Sequence, residues 1–254
     1  MLYTLALLSA FALVAAADCG LDNSCIEVYN NCPFPVWPGI QGSTLVEGGG
    51  FYLPAGKNKT ICVPNGWTAG RIWGRTGCDS NFNCDTGFCG NKLQCEGRGG
   101  EPPVSTAEIT LNVAGGKDYY HVSMLDGYNL PVLIDVVEGT FRTNRTYSEC
   151  KRAGDCFKNL TERYYCPPEL RVVKNRRIVG CKSACLAYNT DQYCCRGLHS
   201  TPRTCRPSNW PRNYHAIYKD ACPKAHSYAY DVLTSFFFCR GHLHPSPTYR
   251  VQFC

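Results

Sequence analysis

Beyond its first residues this sequence has no apolar run long enough to cross a bilayer, which excludes a helical membrane span from the body of the chain. Long amphipathic helical patterns are missing too, and their absence argues against a helical bundle. There is no basic stripe with interleaved aromatics. The formal charge of +6 is scattered. Its densest cluster, Arg171, Lys174, Arg176 and Arg177, reads as a solvated loop rather than a nucleic-acid surface. Internal repeats and low-complexity tracts are absent, which argues against a solenoid or a disordered chain.

What the sequence does have is cysteine, 19 in 254 residues. A chain of this length builds a core without crosslinks, so heavy cysteine use points to an oxidising compartment. Met1 to Ala17 carry no charge, Leu5 to Val14 form an apolar stretch, and Ala15-Ala16-Ala17 offers the small residues a signal peptidase accepts. Residues 1–17 therefore read as a secretory signal, leaving Asp18 first in a secreted, extracellular protein. The sequons at Asn58, Asn144 and Asn159 fit that route.

Short alternating segments predict strands at 26–29, 59–63, 107–113, 119–125, 131–137 and 249–253, and hence an all-β sandwich or barrel. In 107–113, Ile109, Leu111 and Val113 are expected to face the core, with Glu108, Thr110 and Asn112 outward. Ala114-Gly115-Gly116-Lys117 supplies a hairpin turn, placing Glu108 and His121 on one outward face. Phe236 to Cys239 reads as a buried strand. From Cys150 to Cys222 the texture changes: 9 cysteines fall among polar residues with little strand pattern. This predicts a crosslinked, loop-rich insertion with a short helix near 181–195.

Several segments then stand out together: Gly70-Arg71-Ile72-Trp73-Gly74-Arg75-Thr76-Gly77-Cys78, Cys84-x4-Cys89-Gly90-x4-Cys95, and Pro102-Pro103 leading to Ala107-Glu108. Leu125-Asp126-Gly127-Tyr128-Asn129-Leu130-Pro131, Tyr193-Cys194-Cys195, Cys222-Pro223-x3-Ser227-Tyr228-Ala229-Tyr230-Asp231 and the closing Tyr249 to Cys254 follow in order. Over the whole mature chain this resembles the thaumatin-like, pathogenesis-related 5 family. The resemblance implies a flattened β-sandwich formed by 18–149 and 223–254, with a small disulfide loop at 78–95. A disulfide-rich insertion of loops and a short helix spans 150–222.

It also implies the bridges Cys32–Cys254, Cys78–Cys84, Cys89–Cys95, Cys150–Cys239, Cys156–Cys222, Cys166–Cys181, Cys185–Cys194 and Cys195–Cys205. Cys19, Cys25 and Cys62 remain. Cys25 and Cys62 lie in candidate strands and are expected to pair, leaving Cys19 free or linking two otherwise monomeric chains. Cys181-x3-Cys185 with Cys194-Cys195 also imitates metal-ligand spacing, but crosslinking is the expected fate in a secreted chain. His242-x-His244 sits beside prolines and reads as a surface loop. No metal and no cofactor are expected.

The family's acidic groove, associated with binding or cleaving β-1,3-glucan, maps onto Arg71, Glu108, His121, Asp126 and Asp231. His121 stands where the family carries aspartate. Glycoside cleavage needs a protonated carboxyl and a carboxylate. Glu108 is the expected acid and Asp126 its carboxylate partner, although His121 beside Glu108 opposes that assignment by favouring ionisation. Tyr119, Tyr128, Tyr228 and Tyr230 lie near these motifs as candidate sugar-stacking or core residues. The resemblance implies a host-defence, antifungal protein that binds microbial cell-wall β-1,3-glucan. A weak endo-β-1,3-glucanase, or a hydrolase inhibitor with an idle groove, are the alternatives.

Overall fold

Period-two burial organises the molecule. The computed structural model describes residues 19–113, 115–143, 148–242 and 244–254. The expected signal segment 1–17, the sequon at Asn144 and Ala114 of the hairpin turn lie outside the described residues.

The strands of the first half are β1 (Asn23–Asn30), β2 (Trp37–Gln41), β3 (Asn58–Pro64), β4 (Gly70–Arg75), β5 (Thr106–Val113) and β6 (Lys117–Ser123). They continue as β7 (Val132–Val136), β8 (Phe141–Arg142), β9 (Arg171–Lys174) and β10 (Arg177–Cys181). Helices α1 (Ala184–Tyr188), α2 (Asp191–Cys194) and α3 (Tyr214–Ala221) follow, then β11 (Ala225–His226), β12 (Phe237–Gly241) and β13 (Tyr249–Phe253). One sheet has the order β3-β1-β13-β7; the larger has β2-β4-β5-β6-β12-β8, with β11 beside β6. Ile26, Val28, Ile61, Ile134 and Val251 from the first sheet share one core with Ile72, Ile109, Leu111, Tyr120 and Val122 from the second. Each such side chain withdrawn from water contributes about 1.5–3 kcal/mol, which makes this β-sandwich the main source of stability.

The alternation of β5 holds through Leu111 and then fails. Val113, expected in the core, is 37% exposed. The cause is local: Asn112 has a left-handed φ of 49°, and the register with β6 shifts between Thr110 and Val113. A bulge of this kind turns the next side chain over. β2 was hidden by Pro38 and Gly39. Proline is tolerated because β2 is an edge strand. Glycine is required because a Cβ at position 39 would lie 2.3 Å from the Trp73 ring.

In the insertion, the cluster expected to be a basic loop is a hairpin, β9 pairing with β10. Asn175 and Arg176 both have positive φ, 48° and 62°, the conformation a tight two-residue turn requires. The helices start where side chains cap them: Ser183, Thr190 and Asn213 accept from Leu186, Tyr193 and Ala216 backbone N–H groups.

Disulfides add to the buried Leu160, Leu170, Trp210 and Tyr218 that join this segment to the common core. Cys32–Cys254 clasps the ends, and Cys78–Cys84 and Cys89–Cys95 close the small loop. Cys150–Cys239 and Cys156–Cys222 tie the insertion to the sandwich, while Cys166–Cys181, Cys185–Cys194 and Cys195–Cys205 brace it internally. Each restricts the unfolded chain, by about 2–4 kcal/mol. Cys181, Cys185, Cys194 and Cys195 are all consumed in these bridges, so the zinc-like spacing has no thiolates to offer.

The remaining three cysteines differ from the expected Cys25–Cys62 pair with Cys19 apart. Cys25 and Cys62 do stand opposite one another on β1 and β3, but Cys19 lies within disulfide reach of both, its Cα 5.7 Å and 5.4 Å from theirs. The physical reason is placement: the chain preceding β1 folds back over the outer face of the sheet and brings Cys19 to the pair.

Candidate functional site

Three neighbouring strands set the first part of the site. β4, β5 and β6 pair so that Arg71 lies opposite Glu108, and Glu108 opposite His121. Directly opposed residues point to the same face with Cβ atoms about 5 Å apart. A row results: Arg71 Nη2 lies 3.2 Å from Glu108 Oε1, and His121 Nε2 lies 3.3 Å from Glu108 Oε2. Phe236 stacks on the His121 ring at 4.1 Å between centroids, which fixes the plane of the imidazole.

Asp126 comes from the turn after β6. That turn is locked against the insertion: Tyr128 N–H donates to Cys181 O at 2.8 Å, and Cys181 N–H donates back to Tyr128 O at 2.7 Å. Gly127, with φ of 87°, is needed there because a Cβ would lie 2.6 Å from Cys181 O. Asn129 clamps the other side: it accepts from Ser105 N–H at 3.0 Å and donates to Gly74 O at 2.8 Å and Thr86 Oγ1 at 2.7 Å.

The electrostatics of the two carboxyls differ in sign. Burial pushes the Glu108 carboxyl up, but the His121 hydrogen bond and the charges of His121 and Arg71 outweigh it, so its pKa falls below the usual carboxylate value. Asp126 is raised, chiefly by burial, with Arg71 opposing and Glu108 adding. The two carboxyls are thus pushed in opposite directions, Glu108 toward easier ionisation and Asp126 toward holding its proton. These directions run against the expectation of Glu108 as the acid and Asp126 as its carboxylate partner.

Asp231 has partners of its own. It is 8% exposed, and its carboxylate accepts from Ser227 N–H at 3.1 Å and Ser227 Oγ at 3.0 Å and pairs with Lys219 Nζ at 3.1 Å. His226 stands between the two groups, in ring contact with His121 at 5.2 Å. Burial pushes the His226 pKa down to about 4, helped by His121, so this ring is neutral at physiological pH. Nothing in the sequence marked His226 or Lys219 for these places.

Beside Asp126 a cavity of about 200 Å³ opens into the insertion, lined by Ser183, Tyr193, Trp210, His215 and Tyr228 among others. Tyr228 stands edge-on to Trp210 at 5.7 Å and to His215 at 4.9 Å. Tyr119, 42% exposed, shares the outward face of β6 with His121. Tyr128 is wholly buried and donates to Asn159 Oδ1, so it belongs to the core. Tyr230 donates its hydroxyl to Ser200 O. Asn58, exposed, donates to Glu27 Oε1 at 2.6 Å. His242 accepts from Arg142 Nε at 2.6 Å. Among the described residues no helix is long and apolar enough to cross a membrane.

A crosslinked β-sandwich with a cysteine-rich insertion, bearing a cation–carboxylate–imidazole row across β4, β5 and β6, defines the class. The model of the thaumatin family matches residues 30–254, and the chain belongs to that family. It is 41% identical over 249 residues to a pathogenesis-related thaumatin-like protein 3.5 of Cryptomeria japonica, covering 95% of this chain and 94% of that one. A protein of Prunus avium named glucan endo-1,3-beta-glucosidase is 36% identical over 263 residues, with full coverage of both. A laminaripentaose-producing beta-1,3-glucanase, solved in complex with laminaritetraose, superposes with a TM-score of 0.59 over 91% of this chain and 98% of that one. At 9% identity that likeness concerns the fold alone.

Proposed function

We propose that this is a secreted host-defence protein that binds microbial β-1,3-glucan along the junction of sandwich and insertion. The observation that carries the reading is the row Arg71–Glu108–His121 on adjacent strands, with Asp126 and an aromatic cavity beside it. Sugar hydroxyls donate to the Glu108 carboxylate, Arg71 donates to hydroxyl and ring oxygens, and aromatic faces cover the apolar faces of pyranose rings. The glucanase name of the Prunus avium relative supports the choice of sugar. Residues 1–17, the cysteine content and the sequons support secretion.

A second reading, slow endo-hydrolysis, is favoured by one observation. Glu108 and Asp126 are pushed in opposite directions, the condition under which two carboxyls divide the roles of base or nucleophile and acid. The test is retention on insoluble β-1,3-glucan together with reducing-sugar release from a soluble β-1,3-glucan. Wild type is retained, and Glu108→Gln loses about 10–100-fold in affinity, the value of a charge-assisted hydrogen bond. Sugar release that vanishes in Glu108→Gln converts the binder into an enzyme. A wild-type chain neither retained nor active overturns both readings and leaves the inhibitor role.

A further inference from the structure

On the face of the sandwich remote from the site, three sulfur atoms meet. Cys25 and Cys62 are direct partners across β1 and β3, both on the outward face, since Ile26 and Val28 of β1 and Ile61 and Val63 of β3 point to the core. The Cα of Cys19 lies 5.7 Å from that of Cys25 and 5.4 Å from that of Cys62, both within the span a disulfide needs. The three sulfurs lie within 4.8 Å of one another. Cys62 is exposed and Cys19 half-buried.

A sulfur atom makes one disulfide at a time. The other 16 cysteines are joined in pairs elsewhere, so this cluster can close one internal disulfide and leaves one sulfur outside it. A thiol held against a disulfide exchanges with it. We propose that Cys19, Cys25 and Cys62 form a thiol–disulfide exchange site that takes low-molecular-weight disulfides of the glutathione type as a mixed disulfide at Cys62.

The internal step conserves electrons. The Cys62 thiolate attacks the Cys19 sulfur, the Cys19–Cys62 bond forms, and the Cys19–Cys25 bond breaks with its electron pair going to the Cys25 sulfur. That sulfur takes the proton Cys62 released. No oxidant is consumed. The external step starts when the thiol resides on Cys62. Its thiolate attacks one sulfur of oxidised glutathione, the Cys62–glutathione bond forms, and one glutathione leaves as thiolate and is protonated. Exposure makes Cys62 the position where an incoming disulfide finds room.

Cys19 also anchors the chain entering β1, so the exchange changes which strand holds that segment. The site lies on the sheet opposite the one carrying Arg71, Glu108 and His121. Modification at Cys62 is therefore expected to leave glucan retention intact.

The experiment uses the full chain secreted from a eukaryotic host and incubated with oxidised glutathione. Intact mass, a thiol titration of the native protein, and peptic mapping at acid pH to freeze exchange are read together. Wild type should show one titratable thiol, both Cys19–Cys25 and Cys19–Cys62 peptides, and uptake of one glutathionyl group with loss of that thiol. Cys62→Ser should show a single Cys19–Cys25 peptide, no thiol and no uptake. Cys25→Ser should show only Cys19–Cys62 and no uptake, and serves if Cys62→Ser fails to fold. One fixed disulfide with no uptake overturns the proposal. So does a disulfide-linked dimer, which spends the thiol between chains, or three titratable thiols around a retained soft metal ion.

Discussion

His121 Nε2 lies 3.3 Å from Glu108 Oε2, directly across one antiparallel register position. This contact decides the chemistry of the row. An aspartate at position 121 would repel the Glu108 carboxylate and raise its pKa; the imidazole does the opposite. The remaining candidate acid is Asp126, whose own environment raises it.

The first prediction concerns that contact. A carboxyl with a depressed folded-state pKa adds stability above its unfolded value of 4.5, and that stability is lost as pH falls through the folded value. His121→Asn removes the charge of the strongest partner, so the Glu108 titration moves up and the acid limb of glucan retention moves up with it. The pair is partly exposed, so the stability cost at neutral pH stays under about 1 kcal/mol. A carbon-detected titration of the Glu108 carboxyl checks this. An unchanged midpoint means the two groups do not interact in solution.

If the chain cleaves glucan, the pH profile follows from the same two groups. Glu108 must be ionised, so activity falls as pH drops through its lowered pKa. Asp126 must be protonated, so activity falls as pH rises through its raised one. The optimum is acidic. Asp126→Asn removes the alkaline limb together with about 10²–10⁴-fold of the rate. Activity in Asp126→Asn equal to wild type assigns the proton to another group.

Much of this site was legible in sequence because it rests on local pattern. The hairpin of β5 and β6 follows from alternation around a glycine turn, and it brings Glu108 and His121 together. What the sequence did not reveal depends on contacts between distant segments. Asp231 reads as a third acidic group of the groove, and the sequence did not show that Lys219 on α3 and Ser227 hold its carboxylate. The bulge at Asn112 is set by Asp118, whose Oδ1 accepts the Asn112 N–H at 2.7 Å. The third sulfur at Cys25 and Cys62 depends on where the chain before β1 lies.

Asp118 carries its own prediction. Burial pushes its pKa up to about 6, despite donors from Asn112, Ser246 and Tyr249. A raised carboxyl pKa adds stability below the unfolded value of 3.8, and that stability is lost as pH rises through about 6. Thermal melts of wild type should therefore lose about 2–3 kcal/mol from this group between about pH 4 and about pH 7. Asp118→Asn keeps an acceptor for the Asn112 N–H and cannot ionise, so this slope disappears. The same slope in wild type and variant would place the titration elsewhere.

Asn129 tests how the Asp126 turn is held. Its amide satisfies Ser105 N–H, Gly74 O and Thr86 Oγ1 in the interior, three partners that truncation of the side chain leaves without it. Leaving buried polar groups unsatisfied costs about 1–3 kcal/mol apiece, so Asn129→Ala should lose about 3 kcal/mol and about 6–12 °C in Tm. Glucan retention should weaken as well, because Asp126 loses the support on the β4 side of its turn. Asn129→Asp separates hydrogen bonding from space filling. It has nearly the same shape, but a carboxylate oxygen then faces the Gly74 carbonyl where an N–H donated. A clamp made of hydrogen bonds predicts that Asn129→Asp melts as early as Asn129→Ala. An Asp variant melting with wild type would mean that packing alone holds the turn.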